Sequence, residues 1–334
     1  MEVRPTCSVA LLAGILLLAS CQEKAPAGPV TVTFSLLADG SGSTRSDSGE
    51  SEIRRWALLL FRDGKLAGYG LSSSREPITQ TIQAGIYSAC AVANYPESTF
   101  HPEEYLVAEN LTEGTVDLLD NANEAPVMFG RIDLAVPSED TPAIPVERLV
   151  CKAGIRKISV DFSDPSLTGQ AFILQSIFLT NCCRTGLYGS DLRWEELPES
   201  KSSWYNPMGP DTPWNSLLGV RDLETVISPS EPYRIAHSFL YYPNPTDPEK
   251  DTHATSWSPR CTRMVIEARV GSRTCYYPVT LPPVPRNRTC IVEEIIIRRA
   301  GSSDPEQEIP EAAEIIFDAS IQAWEQQYHD KDAF

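Results

Sequence analysis

Apolar and polar residues alternate along much of this chain, which is the pattern of β-strands that bury one face. The clearest case lies near the N-terminus, where Val32, Phe34 and Leu36 alternate with Thr31, Thr33 and their neighbours. Similar runs between turn residues predict further strands over residues 53–61, 66–71, 77–82, 86–94, 126–136, 171–180, 238–242, 262–270, 275–281, 289–298 and 315–323. Residues 101–120 have a more helix-like pattern. The sequence therefore predicts a mainly β chain.

The length of 334 residues suggests two domains, each large enough for its own core. We place their boundary where basic and apolar residues begin to alternate, which gives domains over residues 30–147 and 148–334. Because helical pattern is scarce, each domain is predicted to be a β-sandwich. Asp63-Gly64 is a strong hairpin signal and predicts a tight turn between two of the strands.

The N-terminus resembles a bacterial lipoprotein leader. Arg4 supplies a basic region, and the apolar run that ends at Leu18 is too short to span a membrane. Leu18 stands three residues before Cys21 with small residues between them, as in a lipobox. We therefore predict a signal peptide over residues 1–20, a lipid on Cys21 and a tether over residues 21–29. An ordinary secretory leader with a chance cysteine is the alternative.

Composition narrows the choice of partners. The chain has 45 acidic and 28 basic residues, a net charge of −17, which argues against nucleic acid as a partner. Seven cysteines follow Cys21 without the spacing of a disulfide framework, so we expect buried, small apolar side chains. They are Cys90, Cys151, Cys182, Cys183, Cys261, Cys275 and Cys290.

A search for catalytic patterns finds no Gly-rich phosphate loop, nucleophile elbow or paired-His zinc helix. The four histidines are scattered without ligand spacing. The oxygen-rich stretch from Asp117 to Glu124 lacks the spacing and the glycine of a calcium loop, so we interpret it as a polar turn. We therefore expect no enzyme, no metal site and no cofactor.

An irregular stretch in the second half is rich in aromatic residues, which could form a platform that stacks on sugar rings. The alternative, which the pattern favours, is that these rings hold a long loop against the sandwich. They are Trp194, Trp204, Tyr205, Trp214 and Trp257.

The two ends of the chain share one pattern. The first strand, with Val30, Val32, Phe34 and Leu36, precedes a linker of small and polar residues over 38–52. Arg45 is the only Lys or Arg between Lys24 and Arg54. The last predicted strand carries its apolar face on Ile315, Phe317, Ala319 and Ile321. Either strand could in principle fill the same groove of a sheet.

Short motifs follow one another in a recognisable order after the lipobox. They are Thr44-Arg45, Phe61-Arg62-Asp63-Gly64, Gly85-Ile86-Tyr87, Ala91-Val92-Ala93-Asn94, Met128-Phe129-Gly130, Arg148-Leu149-Val150-Cys151-Lys152, Tyr242-Pro243-Asn244, Tyr276-Tyr277-Pro278, Arg286-Asn287 and a final strand that ends at Trp324. In this order the chain resembles, over most of its length, the Bacteroidales fimbrillins, the type V pilin subunits of major and minor fimbriae.

The resemblance implies a two-domain, transthyretin-like β-sandwich exported as an outer-membrane lipoprotein. In polymerising members an Arg-specific protease removes the first strand, and a neighbouring subunit supplies a replacement. Carried over to this chain, Arg45 is the cleavage site, Ser46 the new N-terminus and residues 314–324 the donor. The implied partners are other fimbrial subunits, the protease, the outer membrane through the lipid, and a host or bacterial surface receptor.

Two alternatives remain open at this stage. The chain could be a surface lipoprotein that does not polymerise and binds glycans through its Trp-rich stretch. It could also be an anchor or tip subunit of fimbriae that keeps its lipid and its first strand.

Overall fold

The computed structural model describes residues 28–38, 52–121, 125–138, 140–207, 218–246, 258–309, 312–317 and 321–323. Within these ranges β-strands dominate, and the α-helix α1 is the five residues Ala108–Thr112. The mainly β fold predicted from the sequence is confirmed.

Eight strands are formed by the described residues of the first half. They are β1 (Val30–Ala38), β2 (Trp56–Arg62), β3 (Lys65–Ser72), β4 (Ile78–Ile82), β5 (Gly85–Ala93), β6 (Thr115–Asp117), β7 (Met128–Val136) and β8 (Ala143–Arg148). Seven of them form one sheet in the order β3-β2-β5-β7-β8-β1-β4. The predicted Asp-Gly turn joins β2 to β3, with positive φ at both Asp63 and Gly64.

This sheet folds over itself where β7 meets β8. The two strands share only two register pairs, Met128 with Arg148 and Phe129 with Glu147. Beyond these pairs a Cβ atom at Gly130 would lie 1.8 Å from the carbonyl oxygen of Pro145. The missing side chain at Gly130 therefore lets β8 cross close to β7 and enter the opposite layer of a sandwich.

The remaining strands belong to the second half. They are β9 (Cys151–Ile155), β10 (Ile158–Val160), β11 (Phe172–Thr180), β12 (Cys182–Cys183), β13 (Thr185–Leu187), β14 (Trp204–Tyr205), β15 (Gly219–Val220), β16 (Thr225–Ile227), β17 (His237–Tyr241), β18 (Arg263–Val270), β19 (Arg273–Thr280), β20 (Arg288–Ile297), β21 (Ala313–Phe317) and β22 (Gln322–Ala323). One sheet has the order β10-β20-β9-β17, with β21 and β22 also on β20. A second has the order β15-β11-β18-β19, with β16 also on β11.

Two apolar cores result. The smaller one fills the first-half sandwich between β1, β4 and β8 on one side and β2, β5 and β7 on the other. The larger one begins on the outer face of β2 and β5, with Leu59 and Val92, and continues through the second half. The sheet of β2 and β5 is therefore buried on both faces, which explains why β2 is an almost continuous apolar run.

Two sequence predictions need correction. The helix-like segment 101–120 contains short 3-10 turns, the single helix α1 and the strand β6 rather than one long helix. Its apolar residues Leu111, Val116 and Leu118 are buried in the larger core, and that packing, rather than a 3.6-residue repeat, sets their spacing. The last predicted strand, residues 315–323, is in fact two strands, β21 and β22, on the same partner β20.

Candidate strand-exchange groove

The first strand lies inside the sandwich rather than at its periphery. Its first five residues pair antiparallel with β4, from Val30 opposite Ile82 to Phe34 opposite Ile78. Its last four pair parallel with β8, from Ser35 opposite Ala143 to Ala38 opposite Val146. Removal of β1 would therefore leave two strand edges, one on β4 and one on β8, without their backbone partner.

The apolar row of β1 fills the smaller core. Phe34 is fully buried, and Val32 and Leu36 are each 7% exposed. Val30 is half-buried and packs against the same core. Because burial of one such side chain contributes about 1.5–3 kcal/mol, the three buried residues account for a large share of the stability of the first-half sandwich.

The wall of the groove opposite Phe34 is equally apolar. Trp56 at the start of β2 is fully buried, and its indole Nε1 donates to the carbonyl oxygen of Glu76 at 3.0 Å. Leu58 and Leu60 of β2 and Ile144 of β8 belong to the same core. The groove without β1 would thus be a long apolar slot that accepts an extended segment with apolar residues at alternate positions.

The opposite face of β1 is polar. Thr31 and Thr33 lie beside Thr81 and Thr79 of β4, with hydroxyl oxygens 3.2 and 3.0 Å apart. Leu37 is 48% exposed. The predicted assignment of inner and outer faces along this strand is therefore confirmed.

The predicted processing and lipidation sites, Arg45, Ser46 and Cys21, lie outside the described residues, but the structure describes the chain on both sides of the linker. Upstream, β1 ends at Ala38. Downstream, Asn94 holds the backbone of Arg54 and Arg55. Its side-chain Oδ1 accepts from the Arg54 backbone amide at 2.9 Å, and its backbone amide donates to the Arg55 carbonyl oxygen at 2.9 Å. Backbone held in this way fits a protease poorly, so Arg54 and Arg55 are weaker cleavage candidates than Arg45.

The predicted donor residues lie at the edge of a second-half sheet. Ile315 and Phe317 belong to β21, which pairs antiparallel with β20 from Ala313 opposite Ile297 to Phe317 opposite Val292. Ile321, just before β22, is 43% exposed, and Ala319 lies outside the described residues. The predicted donor strand and β1 are therefore in different sheets of the same chain.

The aromatic residues of the second half give little support to a sugar-binding platform. Trp204 is only 3% exposed, and its indole Nε1 donates to the Pro198 carbonyl oxygen at 2.9 Å. Trp194 and Tyr205 pack against the larger core. Trp214 and Trp257 lie outside the described residues. The interpretation that these rings hold a loop against the sandwich is confirmed for Trp204.

The cysteines behave as small apolar side chains. All seven that follow Cys21 are buried, and burial raises the pKa of Cys90 and Cys183 to about 12. Among the described residues, no group of histidine, cysteine and carboxylate side chains is placed to hold a metal ion. None of the described helices has the length and apolar character needed to cross a membrane.

Two polar residues have roles that were not predicted from the sequence. Asn94 adopts a φ of 54° and also bonds through Nδ2 to the carbonyl oxygens of Glu52 and Pro126, so it holds three segments together. Asp117, interpreted as part of a polar turn, bonds side chains of the second half. An Asn that follows an apolar strand is a usable signal for a left-handed turn, whereas nothing local distinguishes Asp117.

Solved structures share this fold over nearly the whole chain. A candidate cell adhesion protein from Bacteroides eggerthii has a TM-score of 0.61 at 16% identity and covers 90% of this chain and 97% of its own. One from Parabacteroides distasonis has a TM-score of 0.60 at 13% identity, covering 87% and 98%. A fimbrilin from Porphyromonas gingivalis has a TM-score of 0.57 at 13% identity, covering 87% and 96%.

No protein-family model and no curated protein sequence matches the chain. At these identities the likeness establishes a common fold. The chain therefore has the β-sandwich fold of the fimbrilins, and the resemblance inferred from its sequence motifs is confirmed at that level.

Proposed function

We propose that this protein is a structural subunit of cell-surface fimbriae, acts in adhesion and has no catalytic role. The observation that supports this proposal most is the position of β1. A strand that fills the core of a sandwich is followed by a linker of small and polar residues whose single basic residue is Arg45. The shared fold with a fimbrilin and with candidate cell adhesion proteins supports the same proposal.

In this proposal the precursor is a lipoprotein of the outer membrane, held by a lipid on Cys21. An Arg-specific protease outside the cell cuts after Arg45, so that Ser46 becomes the new N-terminus. Residues up to Arg45, including β1 and the lipid, then leave. The departure uncovers the edges of β4 and β8 and the slot that held Phe34.

The open groove then takes a strand from a neighbouring subunit. The donor is the C-terminal segment, which carries Ile315, Phe317, Ala319 and Ile321 at alternate positions. Insertion restores backbone hydrogen bonds and apolar burial together. Because the donor and the groove are different surfaces of each chain, the contact is head-to-tail and continues into a filament.

A second candidate function is that of an anchor or tip subunit that keeps its first strand. The two pairing partners of β1 and the full burial of Phe34 favour it, because they make the uncleaved strand difficult to displace. A glycan-binding role through the Trp-rich stretch loses support because Trp204 is buried.

Treatment of the purified precursor with an Arg-specific protease separates these candidates. For a polymerising subunit we expect cleavage after Arg45 and a ladder of oligomers in size-exclusion chromatography and non-denaturing gels. The Arg45→Ala variant should give no ladder, and Arg54→Ala, the matched control, should behave as the wild type. Clean cleavage after Arg45 followed by a lasting monomer would contradict polymerisation and leave the anchor or tip role.

A further inference from the structure

A segment of the first half, residues 112–121, is bonded along its length to the second half. We call it the strap. Its strand β6 pairs antiparallel with β13, with Asp117, Val116 and Thr115 opposite Thr185, Gly186 and Leu187. Three backbone bonds extend this pairing in both directions. They are Leu118 N to Arg184 O at 2.8 Å, Tyr188 N to Gly114 O at 3.0 Å and Gly189 N to Thr112 O at 3.0 Å.

Asp117 adds side-chain bonds to this pairing. Its carboxylate accepts from the Tyr205 hydroxyl at 2.6 Å, from Nε of Arg184 at 2.7 Å and from the backbone amide of Leu119 at 2.9 Å. The Arg184 guanidinium also lies over the Tyr205 ring, 5.5 Å from its centroid. Burial acts to raise the pKa of Asp117, but the bonds from Tyr205, Arg184 and Leu119 outweigh it and lower the pKa. The carboxylate is therefore charged at neutral pH and bound to two side chains of the other half.

Asn121, at the end of the strap, makes a buried attachment. Its side chain is 8% exposed, its Nδ2 donates to the Tyr242 hydroxyl at 2.5 Å, and its Oδ1 accepts from the Val127 amide at 2.7 Å. Between Asp117 and Asn121, Leu118 is buried in the larger core. The strap is thus fixed by backbone pairing, by charge and by burial.

The two halves are also connected where the chain passes from one to the other. Where the first half leads into the second, the Leu149 amide donates to the Val127 carbonyl oxygen at 3.0 Å, and Arg148, the last residue of β8, donates through Nη1 to Asn287 Oδ1 at 2.9 Å. A hinge needs a single crossing with few bonds across it. Here the two halves share the larger core, and they are joined at the crossing and again through the strap, more than 25 residues earlier in the sequence.

From this geometry we infer that the strap locks the two halves in one orientation, with Asp117 as a positioning residue, so that the protein moves as a single rigid body. The boundary between residues 147 and 148 is then no hinge. This inference does not depend on the proposed function. If both hold, the strap fixes the angle that each subunit contributes to a fibre.

Distance measurements between spin labels test directly whether the strap holds the two halves in one orientation. Leu71 and Val226 are 53% and 60% exposed and lie in different halves, so Cys substitutions there accept labels. The seven buried thiols are protected, and Cys7 and Cys21 are replaced by Ser. We expect a narrow distance distribution in the parent protein. It should broaden in the Asp117→Ala/Asn121→Ala variant, whereas Asp120→Ala, a carboxylate removed from the same strap, should leave it narrow.

Calorimetry gives a second readout, which can be interpreted even when a variant is partly unfolded. We expect one cooperative transition in the parent protein and a broader, less cooperative transition in the double variant. If the double variant does not fold, Tyr205→Phe removes one bond to Asp117 and should still broaden the distribution. A broad distribution in the parent protein, or an unchanged narrow one in all folded strap variants, would overturn the inference.

Discussion

Strands β1 and β21 lie near the two ends of the chain and differ in the number of strands with which they pair. β1 lies between β4 and β8 and pairs with both. Among the described strands β21 pairs with β20 alone, at the edge of its sheet. Phe34 at the centre of β1 is fully buried, whereas Ile321, beyond β21, is 43% exposed.

The difference matters for how a strand could be exchanged. To leave its place, β1 must give up two rows of backbone bonds and expose an apolar core, so covalent cleavage of the linker alone does not make its departure easy. β21 gives up one row. Because β21 can leave the edge of its sheet at a low cost in free energy, it is suited to pairing with another subunit. Because the groove that holds β1 is costly to leave empty, it is suited to binding such a strand.

Phe34→Ala is the strongest single perturbation of this comparison. Truncation of the fully buried ring should lower the free energy of unfolding by about 3–5 kcal/mol, through lost burial and the cavity that remains. Leu37→Ala in the same strand is the matched control, and should change it by less than about 0.5 kcal/mol because Leu37 is largely exposed. Urea denaturation measures both. Equal losses in the two variants would mean that β1 is not the inner strand described here.

Gly130→Ala tests the layer to which β1 is bound. The added methyl group would meet the Pro145 carbonyl oxygen, so β8 must shift away from β7 at a cost of about 1–3 kcal/mol. Gly68→Ala in β3 is the control because a Cβ atom there meets nothing within 4 Å. Thermal unfolding of the two variants gives the comparison. A Gly130→Ala protein as stable as the Gly68→Ala protein would show that the β7–β8 crossing tolerates a side chain.

Amide hydrogen exchange of the uncleaved protein sharpens the comparison without mutation. We expect the amides of β1 to exchange about tenfold to a hundredfold more slowly than those of β21, a difference of ~1.4–2.8 kcal/mol in opening free energy. β4 and β20 serve as internal references because each pairs with one of the two strands. Faster exchange in β1 than in β21 would reverse the assignment of groove and edge.

The smallest effect belongs to the polar face of β1. The Thr33–Thr79 hydroxyl pair, 3.0 Å apart, should give a coupling energy of about 0.2–1 kcal/mol in a double-mutant cycle with Ala. Thr31–Thr81, at 3.2 Å, is the neighbouring pair for comparison. A coupling larger than the effect of Phe34→Ala would mean that the outer face, not the core, holds the strand.

The strands and their faces could be predicted from the sequence because each depends on a local pattern of period two. Val32, Phe34 and Leu36 are buried as their alternation predicts, and Asp63-Gly64 forms the predicted turn. The role of Asp117 could not be predicted, because its partners Arg184 and Tyr205 lie far away in sequence. The need for glycine at position 130 could not be predicted either, because it arises from the close approach of Pro145 in the folded chain. The register shift opposite Val292 and Glu294, where β21 pairs with β20, is likewise recorded by no local pattern.

The most direct test of strand exchange mixes a chain that can only accept with a chain that can only donate. The acceptor carries Ile315→Asp and Phe317→Asp and is cleaved after Arg45, and the donor is the uncleavable Arg45→Ala chain. Native mass spectrometry of the mixture should show a one-to-one heterodimer and nothing longer, because each chain has only one working surface. Monomers alone, or a heterodimer that forms equally well when the donor also carries the two Asp substitutions, would contradict the account.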